Sequence, residues 1–362
     1  MKDLKHYGWN DFFDNQFNMF NDNELCPARV AVEYKKNYLL YSSEGELDGE
    51  LKRKYHHIAG DQSDLPKVGD WVLFKKSADN EKAVIHHILG RKSKLSRKVT
   101  GKRIEEHILA TNMDYVLIVV GLDNDFNLRK LERLLVVVYE SGADPIVVLN
   151  KSDLCINLEK KIEETSNVLI DVPLFVTSCV TDVGINELSS CFKQGMTYAF
   201  IGSSGTGKST IINLLAGDEI QTTSEISGAT GKGRHTTTQR ELIILKNKSL
   251  IIDTPGLREI QLWSDFDSVV DAFIDIWEIS GGCKFSDCTH THEKNCAVKD
   301  AVANNQLSKE RYENFVKMQK ETVNFETRQT RSNYDERKIK MKKAQKQLNK
   351  IKKNYYKNFK TK

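Results

Sequence analysis

Gly202-Ser203-Ser204-Gly205-Thr206-Gly207-Lys208-Ser209 follows an apolar run, Tyr198–Ile201, and opens a helix-like stretch, Lys208–Leu215. Its glycines let the backbone turn N–H groups inward around phosphate oxygens. Lys208 would neutralise the β and γ oxygens, and the Ser209 hydroxyl would join a Mg²⁺ shell. The amides running on to Thr210 would sit at the positive end of the helix. A strand before and a helix after are what a phosphate-binding loop requires. The stretch therefore assigns this part of the chain to an α/β sheet with its ligand at the strand ends.

Downstream, Asp253-Thr254-Pro255-Gly256 closes the run Leu250–Ile252. A carboxylate at that strand end can hold a Mg²⁺ shell, and the Gly256 N–H can meet a γ-phosphate. Upstream, Asn150-Lys151-Ser152-Asp153 closes the run Ile146–Leu149. An Asp here can accept from guanine N1–H and the exocyclic amine together, a pair of donors that adenine lacks. Lys151 would lay its stem over the base, and Asn150 would tie this loop to the phosphate loop. Thr177-Ser178-Cys179 ends the next run, where GTPases place a Ser-Ala pair whose backbone N–H reads guanine O6. Cys179 stands for the Ala.

The guanine-reading sequence precedes the phosphate loop, the reverse of the ordinary order in GTPases. The chain therefore reads as a circularly permuted GTPase. Apolar runs at Tyr115–Val120, Ile146–Leu149, Leu174–Val176, Tyr198–Ile201, Leu242–Leu245 and Leu250–Ile252 predict a mainly parallel sheet. Helices are expected at Leu128–Glu140, Leu158–Asn167 and Lys208–Leu215.

Ser227–Gln239, between the phosphate loop and Asp253, is rich in Gly, Thr and basic residues and suits a switch. One Thr would complete the Mg²⁺ shell; Thr236 is favoured, with Thr237 next. Many GTPases place a water-orienting Gln after this Asp-x-x-Gly, but here the position is Leu257. Intrinsic hydrolysis should then be slow. His235 is the nearest group to orient or deprotonate the water, or alternatively a switch residue that contacts phosphate or partner.

Cys283, Cys288, His290 and Cys296 fall within 14 residues and form a Cys₃His set suited to one closed tetrahedral, structural Zn²⁺. His292 competes with His290, which is preferred. The other cysteines, Cys26, Cys155, Cys179 and Cys191, are scattered, which favours reduced thiols over disulfides.

Residues 28–90 carry five short strand-like runs with turns between them: Ala28–Tyr34, Tyr38–Tyr41, Leu47–Lys54, Trp71–Phe74 and Ala83–Leu89. Such a pattern suits a small barrel of OB type, with another small barrel or a sandwich as the alternative. Residues 1–25 are acidic and aromatic and read as an arm or a short helix. Arg91–Lys98 is basic, either a phosphate-contacting edge or a solvated linker. The organisation expected is an arm at 1–25, an OB-fold RNA-binding domain at 26–98, a permuted P-loop GTPase domain at 99–276, and a mostly α zinc-binding domain with a basic helical tail at 277–362.

The formal net charge of +4 over 362 residues is unevenly spread. Arg331–Lys362 holds 13 Lys/Arg and 2 Asp/Glu, a net +11, which leaves 4 − 11 = −7 for the remainder. A basic tail on an acidic body points to a polyanion, with nucleic acid preferred. No apolar run reaches the ~18 residues of a membrane span. Met1-Lys2-Asp3-Leu4-Lys5 leads into polar sequence without the apolar core of a secretory signal, so a cytoplasmic protein with no membrane partner is expected.

Taken together, NKSD before GSSGTGKS, then GRHTTT, DTPGL and the C-x4-C-x-H-x5-C cluster resemble the ribosome small subunit-dependent GTPase A (RsgA) family, over nearly the whole chain. The resemblance implies an OB barrel, a permuted GTPase and a zinc domain. It also implies slow GTP hydrolysis stimulated by the small (30S) subunit, contact with 16S rRNA, and a role late in that subunit's maturation. Zn²⁺, Mg²⁺ with GTP, GDP as product and a monomeric chain are the matching expectations. The family histidine of GRHTTT is implicated in hydrolysis, which adds weight to His235. The alternative is a GTP-binding RNA scaffold with negligible hydrolysis.

Overall fold

The computed structural model describes residues 3–35, 37–52, 62–77, 82–100, 104–123, 126–217, 240–253 and 266–323. His235, Thr236, Thr237, Gly256, Leu257 and the basic tail lie outside the described residues. The chain divides into two compact units, Met1–Ile274 and Asp275–Lys362.

In the first unit, β1 (Cys26–Glu33), β2 (Asn37–Ser42), β3 (Gly45–Leu51), β4 (Trp71–Lys76) and β5 (Ala83–Ile88) close a barrel in the order β1-β2-β3-β5-β4. Only the β3–β5 pair is parallel, and closure leaves no open sheet edge. This strand order is that of an OB barrel. Ala28, Val30, Leu40, Val72, Phe74 and Ile85 fill its interior. β1 is buried on both faces, because Val30 points into the barrel while Arg29 and Ala31 also lack solvent contact.

Arg29 is 1% exposed and bonds to four separate segments. Its guanidinium donates to Gly69 O (3.2 Å), Tyr7 O (2.5 Å), Thr197 Oγ1 (2.8 Å) and Asn112 O (2.9 Å). Burial pulls its pKa down to about 10, partly offset by the charges of Asp114 and Asp70. The cation is kept because each acceptor would otherwise be a buried polar group without a donor.

Residues 3–25 are a packed element. A 3₁₀ turn (Leu4–Tyr7) leads to α1 (Asp11–Phe17). Tyr7 stacks on Tyr41 at 5.3 Å, and Trp9 meets Trp71 edge-on at 4.7 Å. Gln16 pairs with both backbone groups of Gly90. Tyr7, Trp9 and Phe13 therefore bury against the barrel, so the segment packs instead of projecting as an arm.

The basic stretch after the barrel is strand: β6 (Lys94–Thr100) pairs antiparallel with β7 (Ile104–Thr111) as a two-stranded ribbon. Three of its cations pair with carboxylates. Arg91 forks onto Asp70 at 2.7–2.8 Å, Lys92 reaches Asp114 at 3.0 Å, and Lys94 reaches Glu106 at 2.7 Å. Arg91 is thus committed to a buried carboxylate, and most of the stretch is paired strand where a solvated linker is one of the two expectations.

A six-stranded sheet completes the unit, in the order β10-β9-β8-β11-β13-β12. Its strands are β8 (Tyr115–Gly121), β9 (Asp144–Asn150), β10 (Leu174–Val176), β11 (Thr197–Ile201), β12 (Leu242–Ile244) and β13 (Leu250–Ile252). All pairs are parallel except β12–β13. α2 (Leu128–Ser141), α3 (Leu158–Ser166), α4 (Ile185–Ser190) and α5 (Lys208–Ala216) lie between strands, and α6 (Phe266–Ala272) packs on α2. Leu117, Val148, Phe200, Ile211 and Ile251 form part of the core.

The second unit contains most of α7 (Ile274–Ser280), a cysteine-bearing loop, α8 (Ala297–Ala303) and a helix over 309–323. Ile276, Val298, Phe315 and Met318 are buried, and Arg311 forks onto Asp275 at 2.7–2.8 Å.

Candidate nucleotide and metal sites

The carboxyl ends of β8, β9, β10, β11 and β13 fall on one edge of the sheet, because these five strands are parallel. Each ends in a motif residue or its partner, so chain order is irrelevant to which loops meet. At β11, Gly202, Gly205 and Gly207 have φ of 143°, 80° and 95°, values that L side chains rarely adopt. A Cβ on Gly202 would strike Val119 O, and one on Gly207 would strike the Asn150 amide. These two glycines are therefore required by packing as well as by the turn. Ser203, Ser204 and Thr206 complete the loop, and Thr206 Oγ1 donates to Ser203 O at 3.1 Å. Ser209 and Thr210 lie in the first turn of α5.

Lys208 Nζ donates to Gly202 O (2.9 Å) and Ser203 O (2.6 Å). Burial lowers its pKa to about 8, against which the Asp253 charge acts. Asp253 follows β13, and its N–H donates to Glu241 O at 3.2 Å.

Asn150 is 1% exposed and spans three loops. Its Nδ2 donates to Thr206 O at 2.8 Å, while its Oδ1 accepts from Thr177 Oγ1 at 3.1 Å and faces Cys179 Sγ at 3.5 Å. Ser178 Oγ donates to Asp153 Oδ1 at 2.6 Å, which fixes the carboxylate while leaving Asp153 exposed. Lys151 is left-handed (φ 65°) and pairs with Asp123 at 2.5 Å. The structure thus joins Asn150, Asp153, Ser178, Cys179 and Thr206 through direct contacts. Sequence reasoning missed Asp123 and gave Thr177 no role of its own. The signal for Asp123 was its place two residues beyond the end of β8, on the same sheet edge.

In the second unit, Cys283, Cys288, His290 and Cys296 place their ligand atoms within 4.8 Å of one another, a set that could hold a metal ion. Cys283 Sγ lies 3.9 Å from Cys296 Sγ, and His290 Nδ1 lies 3.6 Å and 3.4 Å from those two sulfurs. A tetrahedral site with ~2.3 Å Zn–S and ~2.0–2.1 Å Zn–N bonds needs separations of about 3.8 and 3.6 Å. The donors therefore already stand at coordinating distance. His290 is buried with φ 61°, and its carbonyl accepts from Tyr312 OH at 2.7 Å, whereas His292 is exposed and outside the group. Glu293 accepts from Thr289 N and Oγ1 and from Thr291 N, which ties down the loop between ligands, and the Thr289 hydroxyl and amide chiefly lower its pKa to about 2. No helix among the described residues is long and apolar enough to cross a membrane.

The family model described as RsgA GTPase matches residues 88–263, and one described as 50S ribosome-binding GTPase matches 197–351. The chain is 41% identical over 327 residues to the small ribosomal subunit biogenesis GTPase RsgA of Opitutus terrae, covering 88% of this chain and 89% of that protein. It is 40% identical over 326 residues to the protein of that name from Syntrophotalea carbinolica, covering 88% and 89%. The crystal structure of YjeQ from Thermotoga maritima superposes with a TM-score of 0.63 at 26% identity, over 83% of this chain and 99% of that one. YloQ, titled a circularly permuted GTPase, shares the fold with a TM-score of 0.62 at 22% identity, over 84% and 97%.

Proposed function

The chain belongs to the RsgA family of GTPases, and on that premise we propose that it hydrolyses GTP on the small (30S) ribosomal subunit and assists that subunit's late maturation. The observation that carries the reading is the Asn150 bridge. A guanine-reading loop and a phosphate loop 52 residues apart by first residue (202 − 150) are joined by one buried amide at 2.8 Å.

In this reading Asp153 accepts from guanine N1–H and the exocyclic amine, and Ser178 holds it in place. The Ser178–Cys179 backbone reads O6, and the Lys151 stem covers the base. The Gly202–Thr210 amides and Lys208 take the phosphates, while Ser209, Asp253 and Thr236 hold Mg²⁺, which when bound neutralises the β and γ oxygens. Gly256 N–H meets the γ-phosphate. With Leu257 unable to orient water, intrinsic turnover is slow and His235 supplies that role once the subunit is bound. The barrel and tail contact 16S rRNA, and the Cys₃His set holds one structural Zn²⁺. The protein works as a cytoplasmic monomer.

Two expected outcomes check this reading. Sedimentation of the full chain should show binding to small subunits with a non-hydrolysable GTP analogue, and about tenfold weaker binding with GDP, as a nucleotide-gated switch requires. Equal binding in both states, or preference for large subunits, contradicts it. The second outcome concerns Lys208. Its pKa near 8 rises when phosphates replace the carbonyls around it. Because the nucleotide-free form loses its proton first, affinity is full below pH 8 and falls as pH rises above it. Calorimetry at pH 8.5 in buffers of different ionisation enthalpy should report uptake of most of one proton. No uptake would count against Lys208 as the phosphate ligand.

A further inference from the structure

Two described segments are the roots of the nucleotide-sensing loops. Arg240-Glu241 leads from the segment bearing His235 and Thr236 into β12, and Ile252-Asp253 leads out of β13 into Asp253–Gly256. The first root is bonded to elements that precede the sheet, and the second packs against one of them. Glu241 forms an antiparallel bridge with Val32 of β1, and its carbonyl accepts from Asp253 N at 3.2 Å. Gly69, at φ 94° in the turn before β4, packs so closely that a Cβ there would strike Thr111 O and Ile252 Cδ1. The same turn is fixed to β7, where Thr111 N and Oγ1 both donate to Val68 O at 3.1 Å. Most of these links are backbone pairs or packing. Arg240 adds a side-chain link, its Nη1 donating to Ile108 O of β7 at 3.1 Å. Burial of the guanidinium lowers its pKa, an effect that the charge of Glu33 in β1 opposes and that of Arg97 in β6 reinforces. One side chain of the first root is therefore bonded to the ribbon and feels the charge of the adjoining barrel strand.

We infer that Arg240 is a positioning residue that couples engagement of the barrel and ribbon to the orientation of the switch root, so that subunit binding accelerates GTP hydrolysis. This rests on the reading under Proposed function. The physical argument is differential. With Arg240 removed, the Glu241–Val32 and Asp253–Glu241 backbone pairs still hold β12 and β13, so nucleotide binding and slow intrinsic turnover persist. Displacement of the ribbon is then no longer passed to the root.

The test measures GTP turnover of the full chain alone and with saturating small ribosomal subunits, for wild type, Arg240→Ala and Arg240→Lys, with subunit affinity measured by sedimentation. Arg240→Ala is expected to keep unstimulated kcat, KM for GTP and subunit affinity within about twofold, and to lose about tenfold in stimulated kcat, as for a residue that carries coupling without touching ligand. Arg240→Lys keeps the charge and one donor for Ile108 O, and should regain more than half of the stimulation. Stimulation of Arg240→Ala equal to wild type overturns the inference. So does a loss of subunit affinity that accounts for the whole loss of stimulation. A wild type that small subunits do not stimulate overturns the functional reading, and this inference with it, so the two failures are distinguishable. If Arg240→Ala melts below wild type, Arg240→Gln gives the same readout against Arg240→Lys: lower stimulation of the Gln variant supports the inference, and equal stimulation overturns it.

Discussion

Replacing Cys296 with Ser is expected to strip the Asp275–Lys362 unit of metal and abolish its cooperative unfolding transition. Cys296 is 2% exposed, and its sulfur lies 3.4 Å from His290 Nδ1 and 3.9 Å from Cys283 Sγ. A serine hydroxyl there is a shorter, harder and less acidic donor in a site shaped for thiolate. Structural zinc contributes about 10–16 kcal/mol of apparent binding energy in small domains, because no preformed site exists in the unfolded chain. The apolar core of this unit is modest, with Ile276, Val298, Ala301, Leu307, Phe315 and Met318 as its main members. Small units of that kind depend on a metal or another staple. Metal content by plasma emission should fall from about one equivalent to near zero, and the unit's melting transition should disappear. His292→Ala provides the contrast: it lies outside the cluster, so metal content should be retained. Full metal retention in Cys296→Ser would refute the ligand set.

The second large effect is on base selection. Asp153→Asn should weaken GTP binding by about 10²–10⁴-fold, from losing two charge-assisted hydrogen bonds of about 1.5–3 kcal/mol each. The same change should admit xanthosine triphosphate, whose carbonyl at C2 can accept from the new amide. Ser178 Oγ, 2.6 Å from Asp153 Oδ1 in the wild type, can still donate to the Asn oxygen, so the loop should keep its shape. Equilibrium titration with both nucleotides checks this. Unchanged GTP affinity, or a preference for ATP in the wild type, would remove Asp153 from base recognition.

Much of this arrangement is legible in the chain. The barrel strands, the sheet strands and α2, α3 and α5 were readable because apolar runs there end at glycines or motif residues. The phosphate and guanine loops are local patterns whose placement follows once the strands are parallel. What escaped was non-local. Arg29 sits in an apolar strand, and nothing near it in sequence announces acceptors on residues 7, 69, 112 and 197. The ribbon escaped because the charges of Lys94, Arg97 and Lys98 mask its alternation, and the partners of Lys94 and Arg97, Glu106 and His107, lie on β7. Arg91 reads as a solvated cation until Asp70, 21 residues away, is seen folded beneath it. The aromatic arm was ambiguous for the same reason, since its partners Tyr41 and Trp71 belong to the barrel. The choice of His290 over His292 was weighed from spacing; burial and the positive φ of His290 give it a structural basis.

The permuted order also takes on mechanical meaning. The switch roots meet the barrel side of the molecule, the first through the Glu241–Val32 bridge and the second by packing of Ile252 beside Gly69. A ligand on the barrel would thus act close to the roots of the loops proposed to sense the γ-phosphate. The most direct measurement is multiple-turnover GTP hydrolysis by the full chain, alone and with purified small ribosomal subunits, alongside His235→Ala. The account predicts slow turnover alone, at least about tenfold acceleration by small subunits, and loss of that acceleration in His235→Ala with nucleotide affinity retained. Identical rates with and without small subunits, or equal acceleration by large subunits, would contradict it.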